Sequence, residues 1–168
     1  MPHESLRFYI GLMPDNDDNI RIVTSNRKAY HNFIIMDKYE AGLELLGSEV
    51  KSIRQGRVSI QEAYAAVEED SVWVYSMHIN PYEQASLEKH DPDRKKRLLL
   101  HKREIRKLKT KTQERGFTLI PLKLYFKGKL VKLEIGLARG KKLYDKREDI
   151  KKRDDERRMR RGLRERNR

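Results

Sequence analysis

The chain has 168 residues, no cysteine, 39 basic against 26 acidic side chains and a formal charge of +13, with hydrophobic residues at only 37%. That length suits one domain, since single domains peak near roughly 100–150 residues, and the missing cysteine excludes disulfides, Cys-based zinc sites and thiol nucleophiles. No run approaches the roughly 18 apolar residues of a membrane span, and the N-terminus lacks a basic start followed by an apolar stretch, so the expected address is the cytoplasm.

The first 25 residues mix a short apolar piece at 8–13 with a Pro-Asp-Asn-Asp-Asp-Asn turn cluster, and are read as a poorly ordered extension that leads into the domain. From residue 30 to 137 the pattern is mostly of period two, as half-buried antiparallel strands require. Strands are expected at 32–36, 41–46, 62–68 and 72–77. A short helix at 48–54, capped by Ser48 and ended by Gly56, would turn Val50 and Ile53 inward.

Residues 94–111, RKKRLLLHKREIRKLKTK, carry ten basic side chains and one acid. A helix starting at about Leu99 or His101 and running to Glu114 would bury Ile105, Leu108 and Thr112, and helical spacing would spread Lys96, Lys102, Arg103, Arg106, Lys107 and Lys109 over its exposed faces. A solvated surface helix normally balances its signs, so this imbalance points to RNA. Of Leu98, Leu99 and Leu100, one must point outward. Strands at 117–126 and 129–137 then form a hairpin turned at Lys127-Gly128-Lys129; Ile120, Leu122, Leu124 and Phe126 share one side, Val131, Leu133, Ile135 and Leu137 another, and Pro121 marks an edge or a bulge.

Beyond Gly140 the chain changes character: 21 of the last 28 residues are charged. Acid-before-base pairs at i, i+4 (Glu148–Lys152, Asp149–Arg153, Asp154–Arg158, Glu156–Arg160) favour a helix by a few tenths of a kcal/mol each. They cannot replace a core, so the tail is expected to be unfolded alone and helical on a partner. About six short strands with two to three flanking helices favour a small antiparallel barrel or sandwich at 26–140, followed by a basic tail at 141–168.

The concentrated positive blocks suit a polyanion, whose condensed counterions they release, and nucleic acid is the commonest such partner. A membrane surface ranks second. Enzymatic readings fail on spacing: Gly136 to Lys141 is one residue short of a phosphate-binding loop and is followed by Lys142 where Ser or Thr should stand. The stretch from Asp15 lacks the Gly and the Glu of a calcium loop. The five histidines at 3, 31, 78, 90 and 101 show no ligand spacing, and Glu40, Glu44 and Glu49 read as surface acids more readily than as a nuclease cluster. Neither a metal nor a cofactor is expected. Tyr144, isolated in GKKLYDKR, is a candidate for stacking on a base.

Seven segments, NRKAYHNFII (26–35), YEAGLELLGSEVKSIRQGRVSI (39–60), HINPY (78–82), DPDRKKRLLLHKREI (91–105), GFTLIPLKLYF (116–126), VKLEIGLARGKKLYDKREDIKKRD (131–154) and the basic end, together resemble the SmpB family, the tmRNA-binding (SsrA-binding) proteins of bacterial trans-translation. The resemblance implies a mainly β fold, an OB-like closed antiparallel barrel with flanking helices. It also implies a non-enzymatic adaptor that binds the tRNA-like domain of tmRNA and delivers it to stalled ribosomes, with elongation factor Tu in the delivery complex through tmRNA. The tail would enter the decoding centre and vacant mRNA channel of the small subunit.

By the same likeness Asn26, Glu40, Leu99 and His101 match RNA-binding positions, His101 standing where some members have Asn. Arg27, Lys28, Lys51 and Lys96 are the phosphate contacts nearby. Glu40 is pictured as a buried-edge carboxylate able to accept from a base amino group or a 2′-hydroxyl. Lys141, Lys142, Tyr144, Asp145, Lys146 and Arg147 match the family motif at the root of the tail, and Met159 and Leu163 are contact candidates further out. The alternative is a ribosomal or generic OB-fold RNA-binding protein, which charge alone does not separate.

Overall fold

The computed structural model describes residues 19–83, 90–114 and 116–166, with residues 1–18 outside the described set. In chain order the elements are β1 (Ile20–Ser25), α1 (Arg27–Asn32), β2 (Phe33–Leu43), α2 (Gly47–Arg54), β3 (Val58–Ser59), β4 (Tyr64–Glu68), β5 (Ser71–Tyr75), β6 (His78–Ile79), β7 (Lys96–Leu99), α3 (Lys102–Gln113), β8 (Phe117–Lys127), β9 (Leu130–Gly140) and α4 (Leu143–Arg166). The body is mainly β and antiparallel: strands follow the order β1-β8-β4-β5-β7-β2-β9, β9 also pairs with β8, and β3 with β6 forms a small separate ladder. Between β4 and β8 the register holds a single pair, Ala65 with Leu119.

Alternation builds the core. Leu133, Ile135 and Leu137 of β9, Ala41 of β2, Val72 and Val74 of β5 and Leu98 of β7 all face inward and are at most 2% exposed. Leu108 of α3 is fully buried in the same cluster, with Ile105 against it. Thr112 is half-buried, which matches the stripe expected for that helix. The β8–β9 hairpin turns at Gly128, whose φ of 58° suits glycine.

The bulge expected at Pro121 lies between Pro121 and Lys123, and it changes what β8 buries. Leu119, Leu124 and Phe126 belong to the main core. Ile120 and Leu122 face a second cluster with Ala29, Ala138, Phe33 and Ile35, beneath α1. One strand thus serves two cores because an extra residue reverses its facing, so the four residues expected on one side divide two and two.

Four local expectations change. Residues 20–25, assigned to the extension, form β1 and pair with β8. The two strands expected at 32–36 and 41–46 are one long β2, kinked by a bulge between Ile35 and Asp37. Helix α1 had no apolar periodicity to reveal it; its start is set by Asn26, whose Oδ1 accepts from Ala29 N–H at 3.1 Å. At α2 the cap is not Ser48: Glu49 reaches back to Leu46 N–H at 2.8 Å, while Ser48 Oγ lies 3.1 Å from His90 Nδ1.

Candidate nucleic-acid interface

Outward-facing residues of β7, β2, β9 and β8 meet in a row. Leu99 is 40% exposed while Leu98 beside it is buried, and Leu99 stands opposite Gly42. Gly42 is followed across the sheet by Lys132 of β9, and Lys132 by Tyr125 of β8. A Cβ on Gly42 would come within 3.3 Å of the Leu99 Cβ. Glycine there therefore lets Leu99 lie low across β2.

Two residues back along β2, Glu40 gathers this row electrostatically. Its carboxylate accepts the Tyr125 O–H and lies 3.8 Å from Lys127 Nζ and 3.7 Å from Lys132 Nζ. Burial, and then the bond to Glu40, push the Tyr125 phenol up from its ordinary value, so it stays a donor. The Glu40 side chain is 41% exposed, not the buried-edge group expected from sequence, because the strand turns it to the solvent face. Its remaining lone pairs can accept from a base amino group or a 2′-hydroxyl, with two lysines placed for phosphate. His101 follows just beyond Leu99; Glu104 holds its backbone N–H at 3.0 Å, and the residue is exposed.

Two expected contacts lie inside the protein. Lys96 has no exposed surface: its Nζ donates to the carbonyls of Met77 (2.8 Å), Arg94 (2.9 Å) and Pro92 (3.2 Å). Desolvation lowers its pKa, against the pull of Glu49. It begins β7 rather than sitting on α3, so strand alternation turns it inward, and it closes the loop that precedes β7 instead of meeting phosphate. Asn26 is 2% exposed; besides capping α1 it donates to the carbonyls of Ile60 (3.3 Å), Gln61 (3.4 Å) and Pro121 (3.3 Å). Every strong hydrogen-bonding site on that amide faces protein, which leaves it a positioning role.

The other basic residues are exposed but do not form one patch. Arg27 and Lys28 stand on α1, Lys28 3.3 Å from Glu62, and Lys51 lies on α2 with its Nζ 5.3 Å from the Tyr82 ring centre. The second cluster under α1 meets β2 at Ile35, five residues or roughly 16 Å along the strand from Glu40. On α3, Lys107 pairs with Asp37 at 3.1 Å, Lys109 with Asp70 at 3.7 Å and Lys111 with Glu114 at 3.1 Å. A hydrogen bond from Lys107 holds the Asp37 carboxyl below its usual range. Lys102, Arg103 and Arg106 remain exposed, so about half of the basic side chains on α3 are compensated, by Asp37 of β2, by Asp70 in the β4–β5 turn and by Glu114 at the end of the helix itself.

The root of the tail is fastened to α1. Lys141 N–H donates to Asn32 O at 3.0 Å, and its Nζ donates to Tyr30 O at 3.1 Å and pairs with Asp149. That bond lowers the Asp149 pKa. Beside it, Tyr30, Ile34, Met36, Lys38 and Asp149 line an open groove of about 780 Å³. Lys142 and Arg147 are exposed, and Met159 is 70% exposed. Tyr144, Asp145, Lys146 and Leu163 fall within α4, but their side chains lie outside the described set. Among the described residues, none of the four expected i, i+4 pairs is within ion-pair distance. Asp149 is taken by Lys141 and Asp154 lies 4.0 Å from Arg157 instead.

Gly42, Tyr125, Lys127 and Lys132 are the members of this face that sequence reasoning missed. The period-two pattern of β9 already set Lys132 on its outer side; pairing it with Glu40 required the register. No described helix is long and apolar enough to cross a membrane, and no cluster of three metal-ligating side chains occurs among the described residues.

Residues 23–165 match the family described as SmpB protein. The SsrA-binding protein of Carboxydothermus hydrogenoformans is 55% identical over 144 residues, covering 86% of this chain and 97% of its own. That of Halothermothrix orenii is 51% identical over 151 residues, covering 90% and 97%. A solved structure described as "tmRNA-SmpB: a journey to the center of the bacterial ribosome" superposes with a TM-score of 0.61 at 45% identity, over 71% of this chain and 85% of that one.

Proposed function

Because the chain belongs to the SmpB family, we propose that it binds the tRNA-like domain of tmRNA through the Leu99–Glu40 face and carries it to ribosomes stalled without a usable codon. The observation that carries this reading is the outward Leu99 lying across Gly42 beside a carboxylate that holds two lysines: an apolar contact, an acceptor and phosphate-binding charge on one rigid sheet face. Glu40, Leu99 and His101 touch RNA, Lys127 and Lys132 supply charge, and Arg27, Lys28 and Lys51 add phosphate contacts around it. The body closes as an OB-like barrel at the Ala65–Leu119 pair.

The protein acts as an adaptor without a chemical step, in the cytoplasm, with elongation factor Tu joining through the RNA. Once on the ribosome, the tail from Lys141 to Leu163 enters the decoding centre and vacant mRNA channel, exchanging disorder for phosphate contacts as a helix. Lys141, Lys142, Tyr144, Asp145, Lys146 and Arg147 act at its root, Met159 and Leu163 further along.

Competition binding tests this. The tRNA-like domain should outcompete unrelated duplex at every salt concentration, and Glu40→Ala should weaken it about tenfold while duplex binding holds or tightens, because an acid has left a basic surface. Equal affinity for tmRNA, tRNA and duplex with one shared salt slope would instead favour the generic RNA binder, to which the exposed Lys102, Arg103 and Arg106 are suited.

A further inference from the structure

The outer face of the sheet continues past Leu99 onto an aromatic shelf that the proposed function does not use. Lys95, Arg97 and Leu99 alternate outward from the β7 end, and Arg97 stands opposite Trp73 of β5, which stands opposite Ala66 of β4. In the next row Tyr64 and Tyr75 are paired, their rings stacked at 5.3 Å and 14° between planes. Lys95 Nζ lies 4.7 Å from the Trp73 ring centre and 5.8 Å from that of Tyr75. Tyr64, at the far end, is 48% exposed.

A purely structural sheet surface has little reason to leave one aromatic ring exposed on a row of two half-buried ones, with a lysine over those two. The same combination is what single-stranded nucleic acid requires: rings on which bases of any identity stack, and positive charge to follow the backbone. One acid intrudes. Glu68 accepts the Tyr75 O–H and pairs with Lys95 at 3.1 Å, so Lys95 is largely neutralised and Arg97 carries the charge that a phosphate would meet. Tyr75 backs Tyr64 on one side, so the exposed ring is held in place before anything binds, and little side-chain entropy is lost on stacking.

We infer that this shelf is a second contact for the same RNA: an unpaired nucleobase stacks on Tyr64, and Arg97 binds its phosphate, extending the Leu99–Glu40 face across β7 to β5 and β4. The inference rests on the proposed tmRNA reading, but its test is separable. Trp73 is the only tryptophan in the chain, so its emission reports on the shelf of the full-length protein. Adding the tRNA-like domain of tmRNA quenches that emission. Tyr64→Leu and Arg97→Gln each weaken binding about tenfold with thermal midpoints unchanged, and Tyr64→Phe, which keeps the ring, stays within about twofold of the wild type.

Unmoved Trp73 emission together with wild-type affinity in Tyr64→Leu and Arg97→Gln would overturn the shelf, and if Glu40→Ala still weakened binding the tmRNA reading would stand without it. Variants that bound the RNA normally but lost co-sedimentation with ribosomes would also overturn it, by making the shelf a ribosome contact. Failure of the underlying reading looks different: the wild-type protein would show no preference for the tRNA-like domain over duplex.

Discussion

In the sheet body, acids brought from distant parts of the chain hold the lysines. Glu40 sits between Lys127 and Lys132, Asp37 takes Lys107 and Asp70 takes Lys109. In α4 the charges are denser, yet among the described residues one acid, Asp154, approaches a base of the same helix, and only at 4.0 Å. The difference follows from packing. Elements pinned by a buried core hold their backbones at fixed spacing, so opposite charges from distant parts of the chain are brought within reach of one another. An exposed helix in water gains almost nothing by fixing two long side chains together. The body therefore presents a preset pattern of charge, and the tail a dense run of charged side chains of which, among the described residues, few are held by an acid.

Removing residues 145–168 is the largest test of that contrast. Binding of the tRNA-like domain should persist while peptide tagging on stalled ribosomes falls to background, measured in a reconstituted translation reaction; equal loss of both would merge the two regions into one function. Next, Leu133→Ala, at a fully buried position, should cost about 2–5 kcal/mol in denaturant unfolding. Met159→Ala in the tail should move stability by less than about 0.5 kcal/mol. A comparable cost at both would mean that the tail belongs to the core.

Lys96→Met sharpens the contrast within the body. It leaves three carbonyls without their donor and should lower stability by about 1–3 kcal/mol, yet leave the salt dependence of RNA binding unchanged, since Lys96 meets no phosphate. A shallower salt slope would return Lys96 to the interface.

The smallest effect concerns the joint between the regions. Asp149 has a folded pKa below its ordinary 3.8 because Lys141 bonds its charged form. The contribution is therefore complete above that ordinary value and is lost as pH falls through the depressed one. Attachment of the tail root should loosen only in acid, followed by amide exchange at Lys141, and Lys141→Met should remove the dependence.

Much of the body was legible before its coordinates. Strict alternation in β9, the glycine turn at Gly128, the bulge at Pro121 and the stripe Ile105–Leu108–Thr112 follow from periodicity and turn chemistry, which are local. Helix α1 was not legible: its cap, Asn26 to Ala29, is local, but six residues with a single buried side chain, Ala29, carry no apolar stripe to mark a helix, and the amide that makes the cap is held in place by carbonyls 34 and more positions away. β7 was hidden inside a basic run that reads equally well as helix, and that ambiguity placed Lys96 on the surface. Of the candidate site, the leucine run showed that one of Leu98, Leu99 and Leu100 must turn outward, and the family resemblance, not the pattern, singled out Leu99. Its neighbours Gly42, Lys132 and Tyr125 were not foreseeable, since they come from three other strands.

The amino-acid sequence by itself determined a cysteine-free chain with a β body and a charged tail, where its positive blocks lie, and the family resemblance that directs attention to Glu40 and Leu99. Composition, spacing and short motifs are properties of neighbours along the chain. Only the tertiary structure decided which lysines are buried and which are bridged by acids, that Asn26 and Lys96 serve the interior, and that Tyr64, Tyr75, Trp73 and Arg97 share a face with Leu99. Those facts depend on strand register, which is set by the burial of side chains far apart in the chain and has no local signature.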